Sequence, residues 1–97
     1  MEKLRLNTND PSELLSSLAK KGCNKILWEC GPELATSAIE TSCVQELVVF
    51  VAPKLLGGKH AMTPLDSFGF ESISSTYKLQ HYFLDRKGKD LCWKLLF

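Results

Sequence analysis

The residues with the clearest chemical potential lie in one short segment, Glu29-Cys30-Gly31-Pro32. An apolar run ends at Glu29, a glycine lets the backbone approach a ligand closely, and Pro32 suits the start of a helix. The free N–H groups and the dipole at the start of a helix attract anions, most naturally a phosphate. The segment therefore predicts a phosphate site at a strand-to-helix turn.

The same segment also has a purely structural interpretation, because many tight turns before a helix contain a glycine. Glu29 favours a functional one, since a carboxylate that ends an apolar strand is costly unless it is solvated, paired or functional. The carboxyl edge of a parallel sheet is also where α/β proteins bind ligands. On residue types alone, the two interpretations stay equally open.

The elements that must position this turn follow from hydrophobic spacing. Asp10-Pro11 predicts the start of a helix and Gly22 its end. The apolar run Lys25–Glu29 predicts a strand covered on both faces. A second helix is predicted over 33–41 and a second interior strand over Glu46–Ala52. The order strand, helix, strand predicts a βαβ unit with parallel strands.

The last third of the chain changes to a period of two. Apolar residues alternate with polar ones over Tyr77–Phe83 and again over Leu91–Phe97, on either side of the turn Arg86–Lys89. This pattern predicts an antiparallel β-hairpin. The predicted fold class is α/β: an αβαβ unit with parallel strands, followed by an antiparallel hairpin, in a single unit over residues 1–97.

Composition limits the classes of function. The chain has 97 residues, enough for one core, with 44% hydrophobic residues and a formal charge of +1. This charge gives no field suited to nucleic acid or an anionic membrane. The longest apolar run, Leu47–Ala52, is too short to span a bilayer. Met1–Leu6 lacks the apolar core of a signal peptide, so a cytoplasmic location is expected.

The cysteines and histidines do not predict a metal site. They lie at Cys23, Cys30, Cys43, Cys92, His60 and His81. No two cysteines have the Cys-x-x-Cys spacing of zinc ligands. Free thiols are expected, because disulfides belong to oxidising compartments.

Three ordered segments, Ile26–Pro32, Val44–Leu47 and Ala52–Gly58, resemble the C-terminal part of the riboflavin-biosynthesis reductase domain. That domain has a dihydrofolate-reductase-like fold and is often fused to a pyrimidine deaminase. The family patterns are approximately aliphatic-aliphatic-Glu-Gly-Gly-Pro, Val-Asp-Glu-Leu and Ala-Pro-Lys-Leu-Leu-Gly. Cys30 departs from the first glycine and Gln45 from the aspartate.

The resemblance implies an NADPH-dependent 5-amino-6-(5-phosphoribosylamino)uracil reductase, which reduces the ribosyl group of its phosphorylated substrate to ribityl. It also implies that Glu29 contacts this substrate. The residues implied to hold the cofactor phosphates are Gly31, Pro32, Glu33, Leu34, Ala35, Thr36 and Ser37. Because the cofactor supplies the hydride, no residue is singled out as an acid or base.

Reductase domains of this family are considerably longer, and the part expected to be absent precedes Met1. That part holds the first strands and much of the cofactor pocket, so the isolated chain is expected to be inactive. The alternative function is a non-catalytic fragment or remnant that only folds or associates. A weaker alternative is a nucleotide-binding βαβ unit of another α/β family.

In the fold that the chain resembles, a strand from the start of the domain separates the strands matching Ile26–Glu29 and Glu46–Ala52. Without it, those two strands could pair directly, or Lys3–Leu6 or another chain could fill the gap. Direct pairing keeps a right-handed crossover and is the prediction. Apolar edges such as Trp93–Phe97, together with the resemblance, predict a homo-oligomer, namely a dimer.

Overall fold

The computed structural model describes residues 3–5, 10–69, 76–79 and 81–97. The elements in these ranges are helices α1 (Pro11–Lys20) and α2 (Pro32–Glu40), and strands β1 (Glu46–Val51), β2 (His81–Lys87) and β3 (Asp90–Leu96). Contacts divide the chain into a helical unit (Met1–Cys43 with Thr63–Phe68) and a sheet unit (Val44–Met62 with Gly69–Phe97). The prediction of a single unit over residues 1–97 stays a prediction.

Helix α1 begins where the sequence predicts. The Asp10 carboxylate accepts the Ser12 backbone N–H at 2.9 Å and the Ser12 hydroxyl at 2.7 Å. These hydrogen bonds hold the pKa of Asp10 below its ordinary value. Pro11 occupies the first turn and is fully buried. A side-chain cap and a proline thus fix this end of the helix locally.

Helix α1 ends in a Schellman motif. The Cys23 N–H donates to the Leu18 carbonyl at 3.1 Å, and the Gly22 N–H donates to the Ala19 carbonyl at 3.0 Å. Gly22 has φ +88°, a left-handed conformation that glycine adopts without steric cost. The predicted end of the helix at Gly22 is confirmed.

Helix α2 ends with the same pair of hydrogen bonds but with another residue at the left-handed position. The Cys43 N–H donates to the Ala38 carbonyl at 2.9 Å, and the Ser42 N–H donates to the Ile39 carbonyl at 3.0 Å. Ser42 has φ +58°. A serine in this conformation carries a steric penalty that glycine would not.

The sheet unit contains a three-stranded antiparallel sheet with the strand order β1-β3-β2. In the middle of the sheet Val49 lies opposite Trp93, which lies opposite Leu84. The β2–β3 hairpin turns at Gly88, where φ is +61°. The predicted hairpin is confirmed with a shorter first strand that begins at His81, since residues 77–79 lie outside any strand and residue 80 lies outside the described ranges.

The predicted strand Lys25–Glu29 is wrong, because residues 23–31 belong to no helix or strand. Its predicted direct pairing with β1 is wrong as well, because residues 25–29 form no strand and the strand that pairs with β1 in the described ranges is β3. All strand pairs within the described ranges are antiparallel, so the parallel αβαβ unit does not form there. An interior strand needs neighbours to bond its N–H and C=O groups, and an apolar run supplies none of them. Leu27 is 84% exposed as a result.

The predicted alternative in which Lys3–Leu6 fills the gap is not seen in the described part of that segment. Residues 3–5 lie outside any strand, and Leu6 falls outside the described residues. Because the structure contains this chain alone, pairing with another chain stays open. Among the described residues, β3 is the strand that pairs with β1, so β1 is an edge strand.

Helices α1 and α2 are ten and nine residues long. A helix that crosses a bilayer needs about 20 residues. Across the described ranges, the structure has no helix with the length and apolarity of a membrane span. The cytoplasmic location expected from the sequence stays a prediction.

Candidate functional site

The N-terminus of α2 has no side-chain cap. Gly31 is the N-cap residue and Pro32 follows it, so the glycine supplies no side-chain acceptor and the proline has no N–H. The helix closes its first turn through the Ala35 N–H, which donates to the Gly31 carbonyl at 3.1 Å. The N–H groups of Glu33 and Leu34 therefore begin the helix without a capping side chain, as an anion site requires.

Neither the conformation nor the packing of Gly31 requires a glycine. Its φ of −74° and ψ of 176° are extended values that any residue adopts. A Cβ atom built on Gly31 would meet no atom within 4 Å. Within the described part of the chain, the missing side chain serves only to keep the space before the helix open.

Trp28 and Cys30 precede this turn. Partial burial raises the pKa of the Cys30 thiol, and the nearby indole of Trp28 opposes the rise. The thiol is therefore protonated at neutral pH, which makes it a poor nucleophile. The Trp28 Nε1 atom is buried, and the Cys30 sulfur beside it is at most a weak hydrogen-bond acceptor.

The predicted site residues lie at or just before the start of α2, and they differ in solvent exposure. Glu29 is exposed, so its carboxylate is solvated. The exposed cofactor-site residues are Gly31, Glu33 and Leu34, the half-buried ones are Pro32, Ala35 and Ser37, and the buried one is Thr36. The exposed members offer backbone N–H groups rather than side chains to a ligand, which suits phosphate binding.

The Thr36 side chain has a structural contact that the sequence did not predict. Its hydroxyl accepts the Asp66 backbone N–H at 2.7 Å and lies 3.4 Å from the Asp66 carbonyl, to which it donates. Thr36 is only 6% exposed. The contact joins residues 30 apart in the sequence and anchors the Thr63–Phe68 segment within the helical unit. No local pattern signals such a pair.

A shallow groove in the sheet unit, with a volume of about 450 Å³, includes none of the predicted site residues. It is lined by Glu46, Phe83, Asp85, Lys87, Cys92, Lys94 and Leu96. The Asp85 and Lys87 side chains form an exposed ion pair at 3.1 Å, which lowers the pKa of Asp85 and raises that of Lys87. An exposed pair of this kind contributes little to binding or stability. No three metal-ligating side chains cluster in the described ranges.

A family model described as the RibD C-terminal domain matches residues 1–92 of the chain. The riboflavin biosynthesis protein RibD of Synechocystis is 34% identical over 90 residues, which are 93% of this chain and 24% of that protein. The chloroplastic riboflavin biosynthesis protein PYRR of Arabidopsis thaliana is 33% identical over 91 residues, 94% of this chain and 15% of that protein. The chain thus spans a quarter or less of these two relatives.

A solved structure shares the fold. RibD of Acinetobacter baumannii, in its form 2, superposes with a TM-score of 0.71 at 24% sequence identity. The likeness covers 99% of this chain and 25% of that one. Nearly the whole chain therefore has a counterpart in a RibD structure, within a much longer polypeptide.

Proposed function

The chain belongs to the RibD C-terminal domain family, and we propose that it is part of an NADPH-dependent 5-amino-6-(5-phosphoribosylamino)uracil reductase of riboflavin biosynthesis. In this proposal, the complete enzyme has a dihydrofolate-reductase-like fold and reduces the ribosyl group of its substrate to ribityl. This chain supplies the start of α2 as a binding site for the cofactor phosphates. The observation that carries the proposal is the N-terminus of α2, which has no side-chain cap and open space at its N-cap residue, Gly31.

The uncapped start of α2 has a geometry that fits NADPH. The space before Gly31 admits a phosphate, and the backbone N–H groups of Glu33 and Leu34 would donate to it. When bound, NADPH supplies the hydride, while the chain's own residues hold and orient the cofactor.

Glu29 lies two residues before the N-cap of α2 and is exposed. We place it in contact with the substrate, where an ionised carboxylate accepts hydrogen bonds from hydroxyl or amine groups. The chain is assigned no catalytic acid or base.

A helix N-terminus contributes about 0.3–1 kcal/mol to anion binding at an exposed site and about 2 kcal/mol at a partly buried one. A micromolar Kd requires about 8 kcal/mol. The start of α2 therefore supplies only a fraction of the free energy needed, and we propose that most of the remainder comes from groups outside this chain. Accordingly, the isolated chain binds NADPH weakly and reduces no substrate.

The alternative is a non-catalytic fragment or remnant that only folds or associates. The fraction of each relative that is matched, 24% for Synechocystis RibD and 15% for the Arabidopsis protein, favours it for the chain in isolation. In either case we propose a homodimer, because large apolar side chains such as Phe50 and Leu84 are more than 60% exposed. Sedimentation equilibrium that gives a monomer at micromolar concentration would exclude the dimer.

The test of the cofactor proposal is an NMR titration of the chain with NADPH, following the amides of Glu33 and Leu34. We expect both amides to shift and Gly31→Val to abolish the shifts, because its side chain occupies the phosphate space without straining the fold. Gly88→Asn, in the hairpin turn, is the control and should leave the shifts unchanged, since asparagine tolerates its positive φ. Shifts that survive Gly31→Val would contradict the proposed site.

A turnover assay separates the two functions. We expect no reduction of the phosphoribosylamino-pyrimidine by the purified chain, and recovered activity when the chain replaces the matched segment of Synechocystis RibD. Turnover by the chain alone would show that the pocket is complete without further polypeptide. A hybrid that folds, binds NADPH and stays inactive would favour the non-catalytic alternative.

A further inference from the structure

Thr36 of α2 uses its hydroxyl differently from Ser17 of α1. The Ser17 hydroxyl donates to the Glu13 carbonyl, four residues earlier in its own helix, at 3.0 Å. Such a bond is a common arrangement for a hydroxyl inside a helix. The Thr36 hydroxyl instead accepts the Asp66 N–H at 2.7 Å and donates to the Asp66 carbonyl at 3.4 Å. The hydroxyl of Thr36 therefore serves a tertiary contact.

The segment around Asp66 is held in its own shape by short-range hydrogen bonds. The Thr63 hydroxyl donates to the Leu65 carbonyl at 2.6 Å. The Asp66 carboxylate accepts the Ser67 N–H at 2.8 Å. Side-chain bonds of this kind fix the direction of the neighbouring backbone groups. The N–H and the carbonyl of Asp66 are thus presented together to the buried hydroxyl of Thr36.

The segment Thr63–Phe68, which we call the strap, lies in the connection between β1 and β2. The residues before and after it, Val44–Met62 and Gly69–Phe97, form the sheet unit, whereas the strap itself belongs to the helical unit. The chain therefore leaves the sheet unit, reaches α2 and returns. The hydrogen bonds of Thr36 join the strap to α2 at this point.

Thr36 is the first buried residue of α2, counted from the start of the helix. Residues 32–35 are exposed or half-buried, and the N-cap residue Gly31 makes no capping hydrogen bond. A helix end without a cap or buried side chains opens readily. Side chains of a helix lean toward its N-terminus, so the strap lies beside the turn that precedes Thr36. The strap is therefore placed to keep this first turn ordered.

We propose that the strap holds the first turn of α2 in its ligand-binding conformation, with Thr36 as the positioning residue. The resemblance implies that Thr36 itself holds the cofactor phosphates, whereas its side chain is buried against Asp66. Thr36 thus acts on a ligand through the backbone N–H groups of Glu33 and Leu34, which it keeps in place. The ordering of the turn stands by itself, and its effect on NADPH rests on the proposed function.

Hydrogen exchange of the chain without ligand tests the ordering of the turn. The Ala35 N–H donates to the Gly31 carbonyl and reports the first turn of α2. The Cys43 N–H donates to the Ala38 carbonyl and reports the other end of the helix. We expect Thr36→Val to speed exchange at Ala35 about tenfold more than at Cys43, because the strap no longer holds the first turn.

Two variants separate this role from a general loss of stability. Thr36→Ser keeps the hydroxyl and should leave the ratio of the Ala35 and Cys43 exchange rates within about twofold of the wild type. Ile39→Val removes a buried methyl group from the same helix and leaves the Thr36 hydroxyl in place. It should lower stability without raising that ratio. An equal rise in the ratio for Thr36→Val and Ile39→Val would overturn the proposal, because Thr36 would then act only through stability.

Exchange in the presence of NADPH tests the link between the strap and the ligand. Coupling between two sites is reciprocal, so saturating NADPH should slow exchange of the Asp66 N–H about threefold or more in the wild type. Gly31→Val fills the phosphate space and should remove this effect. Protection of the Glu33 and Leu34 amides without protection of Asp66 would overturn the link. If NADPH shifts no amide of the wild type, the cofactor proposal fails, and the exchange ratio without ligand still decides whether the strap orders the turn.

Discussion

Helices α1 and α2 both begin at a proline and have nearly equal lengths, yet their ends are capped differently. Asp10 caps α1 with its carboxylate, while Gly31 gives α2 no side-chain cap. At the other end, the left-handed position holds Gly22 in α1 and Ser42 in α2. Helix α2 thus lacks the local stabilisation that α1 has at both ends.

The two helices differ in burial in the opposite sense. Helix α1 buries only Pro11, whereas α2 buries Thr36, Ala38 and Ile39. Most helical stability in proteins comes from packing rather than from local preference. Packing therefore holds α2 in place and allows its first turn to stay uncapped, which is the condition for a ligand to bind there.

The largest effect is expected from Thr36→Val, which removes the tertiary hydrogen bonds that hold α2. The Asp66 N–H would lose its acceptor, at a cost of about 1–3 kcal/mol in the free energy of unfolding. Urea denaturation measures the loss. Thr36→Ser keeps the hydroxyl and is the control, with a smaller expected loss of about 0.8 kcal/mol for the missing methyl group. Equal urea midpoints for Thr36→Val and the wild type would show that packing alone holds α2.

The next effect comes from giving α2 the cap that α1 has. Gly31→Asp places a carboxylate on the N–H groups that the phosphate would use, so we expect NADPH binding to fall about tenfold. Stability should rise by a few tenths of a kcal/mol. A titration of the Glu33 and Leu34 amides and a thermal melt measure the two changes. Asp10→Gly, which uncaps α1, is the control and should leave NADPH binding unchanged. If Gly31→Asp also left NADPH binding unchanged, the cofactor would not bind at the start of α2.

A smaller effect is expected at the helix C-termini. Ser42→Gly removes the steric strain of a side chain at φ +58° and should stabilise the chain by about 0.5–1 kcal/mol. The reverse change in α1, Gly22→Ser, should destabilise it by a similar amount. Thermal denaturation of both variants tests the comparison. A stabilising Gly22→Ser would mean that the two Schellman motifs are not equivalent.

The smallest effect concerns pH, because Asp10 is exposed. Its hydrogen bonds to Ser12 lower the pKa of the carboxyl in the folded state. The stabilisation is therefore present above the pKa of the unfolded chain and is lost as pH falls through the lowered folded value. Circular dichroism of the wild type and Asp10→Asn at acidic pH measures it. A variant with the same acid profile as the wild type would show that the cap contributes nothing.

Features with local causes were predicted well from the sequence. The start of α1 follows from Asp10 and Pro11, its end from Gly22, and the start of α2 from Gly31 and Pro32, because capping needs only neighbouring residues. The hairpin follows from a period of two around a glycine turn. The resemblance of three short segments predicted the family that the comparisons show.

Only the tertiary structure decided which partners the strands and side chains have. The apolar run Lys25–Glu29 indicated burial but could not specify a neighbouring strand, and it forms none. Strand β1 pairs with β3 rather than with that run, and Thr36 bonds to Asp66, 30 residues away. Capping and turn geometry arise from neighbouring residues in the chain, whereas strand pairing and long-range hydrogen bonds depend on which distant groups the fold brings together.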